Sequence, residues 1–271
     1  MNKLLVLPDI HGRTFWKKPC ENIDAYDKVI FLGDYLDPYD FEKISVQDAI
    51  NNFKEIIEFK KANNDKVILL IGNHDLPYFS KDYYNLSYYH CRHSAKYHNT
   101  ISRMFKDNKD LFQLAYAYNE QTLSLKETYN DILFTHAGVD SGWLEKIVQC
   151  DKTNINDIAD AINDLLKDAN GLRKLFCITS ERGGRDRWGS CVWVDVHDIM
   201  WDVDSTVNPN TIVKPIHKIK QIFGHTLQAY YDLDRNIIYG DAIEHDNIKM
   251  LDNGKAYILN TDTFEIEIYK Q

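Results

Sequence analysis

Leu4-Leu5-Val6-Leu7-Pro8-Asp9-Ile10-His11-Gly12 is the stretch on which the fold of this chain turns. Four apolar residues, too few for a helix, run into proline and then into aspartate, histidine and glycine. A run of that length, rich in branched aliphatics, suits a strand buried on both faces. The same grammar recurs four times. Val29 to Leu32 leads into Gly33-Asp34, and Val67 to Ile71 into Gly72-Asn73-His74-Asp75. Ile132 to Phe134 leads into Thr135-His136-Ala137-Gly138, and Ile222-Phe223 into Gly224-His225-Thr226.

Helical rhythm lies between these runs. From Val46 to Lys61, Val46, Ile50, Phe53, Ile56 and Ile57 repeat at i, i+3, i+4, i+7. A second helix is expected from Ile155 to Lys167, and a helical insertion over about 76–108, where strand character is absent. Strand and helix in alternation predict a mostly parallel sheet with helices on its faces. From Tyr230 to Tyr269 the pattern changes to short strand-like runs with a turn at Asp252-Asn253-Gly254, which reads as an antiparallel meander. The C-terminal antiparallel strands are therefore expected over about 222–270. No linker or repeat interrupts residues 1–271, and a single domain is expected.

Ligand-type residues fall just after the runs. Asp9, His11, Asp34, Asn73, His136 and His225 all stand at the carboxyl ends of expected strands, where open α/β sheets bind ligands. Carboxylate and amide oxygens mixed with imidazole nitrogens suit Mn, Fe, Zn, Co or Ni better than an all-oxygen calcium or magnesium cage. Asp34 can bridge two such cations, roughly 3.5–4 Å apart, around an in-line displacement. An isolated Asp-Ile-His would be a turn or a helix cap. Capping does not explain histidines at four strand ends.

The bulk properties limit the alternatives. The 271 residues carry a net charge of −9, with 44% hydrophobic and 27% charged residues. That composition is ordinary for a globular protein. The acidic balance disfavours general nucleic-acid binding and an anionic membrane surface. Five widely spaced cysteines without a CxxC pair read as reduced thiols, so a cytoplasmic setting is expected. The apolar run in Met1 to Asp9 is too short for a signal peptide, and no run approaches a membrane span. Oligomeric state is not encoded in any recognisable pattern.

Asp9-Ile-His11, Gly33-Asp34, Gly72-Asn73-His74-Asp75 and Gly224-His225, in that order, resemble the calcineurin-like metallophosphoesterase superfamily. Gly33-Asp34-Tyr35-Leu36-Asp37 and Thr135-His136-Ala137-Gly138 look most like its phosphoprotein phosphatase branch, which includes diadenosine tetraphosphate hydrolases. The resemblance implies an α/β fold: a β-sandwich of two mixed sheets flanked by helices. It implies one metal on Asp9, His11 and bridging Asp34, and a second on Asp34, Asn73, His136 and His225, with manganese the expected metal. A water held between the cations then attacks phosphorus, and His74, oriented by Asp37, protonates the leaving oxygen. Asp75 is expected to orient ligands, not to be one.

Phosphate oxygens call for arginine. Glu181-Arg182-Gly183 resembles the family's phosphate-arginine segment, which makes Arg182 the first candidate, Arg185 the second and Arg13 the third. Two departures stand out. Leu227 replaces a further histidine common in the superfamily but absent from this branch. Pro38 stands where the branch has arginine, which weakens a protein phosphatase reading. The expected substrate is a phosphoprotein or a small phosphate ester or nucleotide. The alternatives are a pyrophosphohydrolase or phosphodiesterase, marked by an aromatic wall beside the metals, and a non-catalytic scaffold. His90, Cys91, His93 and His98 fit no zinc spacing and read as a helix face. Trp143, Trp188, Trp193 and Trp201 read as core or pocket wall.

Overall fold

The structure, a computed structural model, describes residues 3–82, 95–119, 131–150, 154–175, 190–193, 219–225, 242–245 and 248–270. The chain divides into two compact units, Met1–Gln113 with Asp252–Gln271, and Leu114–Leu251.

The first unit is built on a six-stranded sheet in the order β11-β10-β1-β2-β3-β4. Its strands are β1 (Lys3–Leu7), β2 (Lys28–Phe31), β3 (Val67–Leu70), β4 (Phe112–Gln113), β10 (Tyr257–Asn260) and β11 (Glu265–Ile268). β1 to β4 are parallel, and β10 runs antiparallel to both β1 and β11. Leu4, Leu5, Val6 and Leu7 are fully buried, as are Val29, Ile30 and Phe31, so both faces of the central strands are covered. That is why these runs are continuously apolar and not alternating.

The helix Val46–Ala62 follows the expected rhythm. Ser45 caps it by accepting the Asp48 N–H at 3.1 Å. Its buried face presents Ala49, Ile50, Phe53, Ile56 and Ile57, with Phe53 stacked on Tyr35 at 5.1 Å. Burying a phenylalanine to this degree stabilises by about 2–3 kcal/mol, so this helix is anchored by packing more than by propensity. Within the expected insertion, helices occupy Leu76–Phe79 and Ala95–Asp107.

The second unit carries a five-stranded mixed sheet in the order β5-β6-β7-β9-β8. These strands are β5 (Ala115–Tyr118), β6 (Ile132–Thr135), β7 (Lys220–Phe223), β8 (Ala242–His245) and β9 (Ile248–Leu251). β6, β7 and β9 are parallel, whereas β5 and β8 pair antiparallel at the two edges. The helix expected to reach Lys167 stops at Asn163 and continues as a 3-10 turn over Asp164–Leu166. Asn163, the last residue of that helix, ties it to the start of β5. Its side-chain oxygen accepts the Leu114 and Ala115 N–H groups at 2.8 and 2.9 Å, and its amide donates to the Ala115 carbonyl at 2.9 Å.

Two mixed α/β sheets flanked by helices are thus present. One difference from the expected pattern concerns the last 50 residues. They do not form one antiparallel meander: β7 and β9 are parallel partners in the second unit, while β10 and β11 belong to the first. The turn at Asp252–Gly254, with Gly254 at φ 74°, redirects the chain. Tyr230–Leu233 and Ile237–Tyr239 lie outside the described residues. Among the described residues no helix is long and apolar enough to cross a membrane.

Candidate metal centre

In the first unit the loops after β1 and β2 are laced together by their backbones. Ile10 N–H donates to the Gly33 carbonyl at 3.2 Å, His11 N–H to Asp34 at 2.6 Å, and Gly12 N–H to Tyr35 at 2.9 Å. Parallel pairing therefore continues past the strand ends, but with the chain twisted to turn side chains inward. Asp9, His11, Asp34 and Asp37 have φ of 26°, 44°, 53° and 58°. In the second unit His225 has φ 75°. Five of the eight non-glycine residues with positive φ among the described residues are thus candidate site residues. Each costs about 1–3 kcal/mol, a concentration of strain typical of sites where side-chain direction matters more than stability.

Two glycines make room for this arrangement. A Cβ on Gly33, at φ 108°, would lie 2.4 Å from the Gly72 nitrogen. One on Gly72 would lie 2.1 Å from Asp34 Oδ1. No side chain fits at either position without displacing the Asp34 carboxylate or its loop.

Asp75 organises the same loops. Its Oδ2 accepts the Asp34 and Gly72 N–H groups at 2.7 and 2.9 Å, and its Oδ1 accepts Tyr35 N–H at 3.0 Å. Burial first, and then the Asp34 charge, push its carboxyl well above the usual range, against the opposing pull of these three donors. It thereby holds the backbone of Asp34, a candidate ligand.

His11 is fixed by the Leu36 carbonyl, 2.9 Å from Nδ1. Burial lowers its pKa to about 3, so the ring is neutral near pH 7. With Nδ1 donating to the carbonyl, Nε2 carries a lone pair, and that atom sits 3.5 Å from Asp34 Oδ2. Two electron-rich atoms face each other there without a proton between them, an arrangement that a cation stabilises. His11, Asp34 and His74 each offer a ligand atom within 4.8 Å of the others. Asp9 is fully buried and Asn73 is 3% exposed, both in these loops. The donor chemistry therefore fits a divalent metal.

His74 differs in being tied to a carboxylate. Its Nδ1 lies 3.2 Å from Asp37 Oδ2, and its backbone N–H donates to Asp34 Oδ1 at 2.9 Å. The other Asp37 oxygen, Oδ1, accepts the hydroxyl of Tyr78 at 2.7 Å. No motif in the sequence points to a role for Tyr78 beside Asp37. The signal was its position four residues after His74, about one helical turn away at the start of Leu76–Phe79.

Arg13 is held at one side of the site. It pairs through Nε with Glu42, and its Nη1 donates to the Asp9 carbonyl at 3.0 Å. Arg182 and Arg185, with neighbouring Arg187, lie outside the described residues, as do His90, Cys91, His93, Trp188 and Trp201. His98 is half-buried, its ring 5.2 Å from that of Tyr78, so it is packed and not simply part of a solvated face.

In the second unit His136 Nε2 and His225 Nδ1 are 3.1 Å apart. Nitrogens that close either share one proton or direct both lone pairs to a cation. The loop after β6 is pinned by Gln221, which accepts Val139 N–H at 2.8 Å and donates to the Val139 carbonyl at 3.3 Å. Gly224 N–H donates to the His136 carbonyl at 2.9 Å. Trp193 meets the His225 ring edge-on at 6.1 Å, and Trp143 is fully buried core.

In the first unit, strained aspartates and a histidine at strand ends, an imidazole facing a carboxylate and a His–Asp pair are the donor set that a metal-dependent hydrolase requires. Residues 3–229 match the calcineurin-like phosphoesterase family, and the chain belongs to it. It is accordingly a hydrolase of phosphate esters, in a family that uses two divalent metals. A search of curated proteins finds no match. Among solved structures it is similar to one described as a "putative diadenosine tetraphosphatase", at 12% identity and a TM-score of 0.42, covering 99% of this chain and 93% of that one.

Proposed function

We propose that this chain is a phosphomonoesterase in which Asp9, His11, Asp34, Asn73, His136 and His225 are the ligands of two divalent cations, manganese foremost. The observation that carries the reading is His11 Nε2, with Nδ1 held on the Leu36 carbonyl, facing Asp34 Oδ2 at 3.5 Å in a loop cluster held under strain. When bound, such cations polarise phosphoryl oxygens and acidify water to a nucleophile near neutral pH.

The rest is done by the protein's own groups. His74 keeps Nδ1 on Asp37, which leaves Nε2 to give a proton to the departing oxygen. Asp37 fixes the ring's tautomer and direction. Asp75 sets the Asp34 backbone, and with it the aim of the carboxylate. Arg182 and Arg185 are assigned to the phosphate oxygens on their Glu-Arg-Gly context. Arg13, already engaged by Glu42 and the Asp9 carbonyl, supports the ligand loop first and contacts phosphate second.

A small phosphate ester or nucleotide is the preferred substrate class, since Pro38 stands where protein phosphatases of this branch carry arginine. Cys20 and Cys191 are buried free thiols, which supports a reducing, cytoplasmic setting. The test is turnover of manganese-reloaded protein on p-nitrophenyl phosphate, its phenyl diester, a phosphopeptide and diadenosine tetraphosphate. Metal-dependent turnover led by the monoesters supports the proposal. A lead for the diester or dinucleotide replaces it with a diesterase or pyrophosphohydrolase, and no turnover with two metals bound replaces it with a scaffold.

A further inference from the structure

Phe41 is 67% exposed, the large hydrophobic side chain left in water among the described residues. A lone exposed phenylalanine is ordinary. What surrounds this one is not. Its ring lies nearly flat on Tyr39, with centroids 5.4 Å apart and planes at 22°. Tyr39 in turn meets the ring of His11, a proposed metal ligand, edge-on at 4.9 Å. A continuous aromatic path therefore runs in two ring steps from the ligand cluster to solvent.

The turn that carries this path is fixed to the ligand loop. Glu42 Oε2 accepts the Tyr39 N–H at 3.1 Å, closing the 3-10 turn Asp40–Glu42. The other Glu42 oxygen pairs with Arg13, whose Nη1 holds the Asp9 carbonyl. The Arg13 guanidinium also lies 5.7 Å over the Tyr39 ring. Phe41 is thus presented by a rigid support built from the metal-ligand loop itself, with buried Pro38 setting the chain direction before it. Rigid placement lowers the ordering cost of binding.

We propose that Phe41, backed by Tyr39, is the stacking platform for the base of a nucleotide whose phosphate is hydrolysed at the adjoining site; this rests on the reading of His11 as a metal ligand. Two ring steps are comparable with the separation of a nucleotide's base from its 5′-phosphate. Stacking on an aromatic face is open to every base, so the platform selects nucleotides as a class and not one base. On this reading the aromatic wall expected beside the metals of a nucleotide hydrolase is the Tyr39–Phe41 pair that follows Pro38.

The test compares adenosine 5′-monophosphate with ribose 5-phosphate, which keeps the phosphate and sugar but lacks the base. In the metal-loaded full chain, Phe41→Ala should lower the ratio of the two kcat/KM values about tenfold. Phe41→Leu, which keeps apolar bulk without a π face, should lower it too. Calorimetric binding of adenosine 5′-monophosphate to the chelator-treated protein should weaken in parallel. An unmoved ratio together with unmoved affinity in Phe41→Ala overturns the platform, as does absence of detectable binding to the wild type. If neither ester is turned over, the phosphomonoesterase reading fails, and the calorimetric comparison alone decides the platform.

Discussion

Asp75→Asn swaps one atom in a buried carboxylate that accepts three backbone N–H groups, at 2.7, 2.9 and 3.0 Å. An amide of the same shape has one acceptor oxygen. In its better orientation that oxygen keeps the Asp34 and Gly72 donors, now as neutral hydrogen bonds. The amide nitrogen then faces the Tyr35 N–H, donor against donor. Charge-assisted bonds are worth about 1.5–3 kcal/mol against about 1 for neutral ones, and a stranded buried N–H costs about 1–3 more. Removing a charge that burial and Asp34 both disfavour returns part of this. The expected net loss is about 2–4 kcal/mol of stability. Because Asp75 holds the Asp34 backbone, metal affinity should also fall about 10–100-fold. Urea unfolding of chelated protein measures the first effect, and manganese titration calorimetry the second. An unchanged urea midpoint with unchanged metal affinity would refute the clamp.

Other perturbations separate the roles within the site. Gly72→Ala places a Cβ 2.1 Å from Asp34 Oδ1, so the carboxylate must move; bound manganese, measured by atomic emission, should be lost while the protein still unfolds cooperatively. Tyr78→Phe removes the hydroxyl from Asp37 Oδ1, with an expected cost of about 1–2 kcal/mol. It should also slow alkyl phosphates more than p-nitrophenyl phosphate, and uniform slowing would deny it a role through Asp37. His74→Asn should retain both metals and show the same leaving-group dependence more steeply, so equal losses across leaving groups would remove His74 from the proton-donating role.

The candidate site stands out in the sequence more plainly than the fold around it, for a physical reason. Asp9, His11, Asp34, Asn73, His136 and His225 each follow an apolar run, so local chemistry alone marked them. The parallel strands β1, β2 and β3 were legible because burial on both faces leaves an unbroken aliphatic run. β4 and β5 were not, since Phe112–Gln113 is two residues long and Ala115–Tyr118 reads Ala-Tyr-Ala-Tyr. Their strand character comes from partners far along the chain, which local propensity does not encode. The division of the C-terminal strands between two sheets is likewise a matter of pairing, not of pattern. Tyr78 and the Tyr39–Phe41 pair were hidden because their importance lies in what they touch: Asp37 and His11 are 41 and 28 positions away, as the numbering gives directly.

Metal content and p-nitrophenyl phosphate turnover, measured side by side on wild type and Asp34→Asn, test the central claim most directly. The account predicts two divalent ions per chain with metal-dependent turnover in the wild type, and loss of both in the variant. Full turnover by Asp34→Asn with two metals still bound would contradict it.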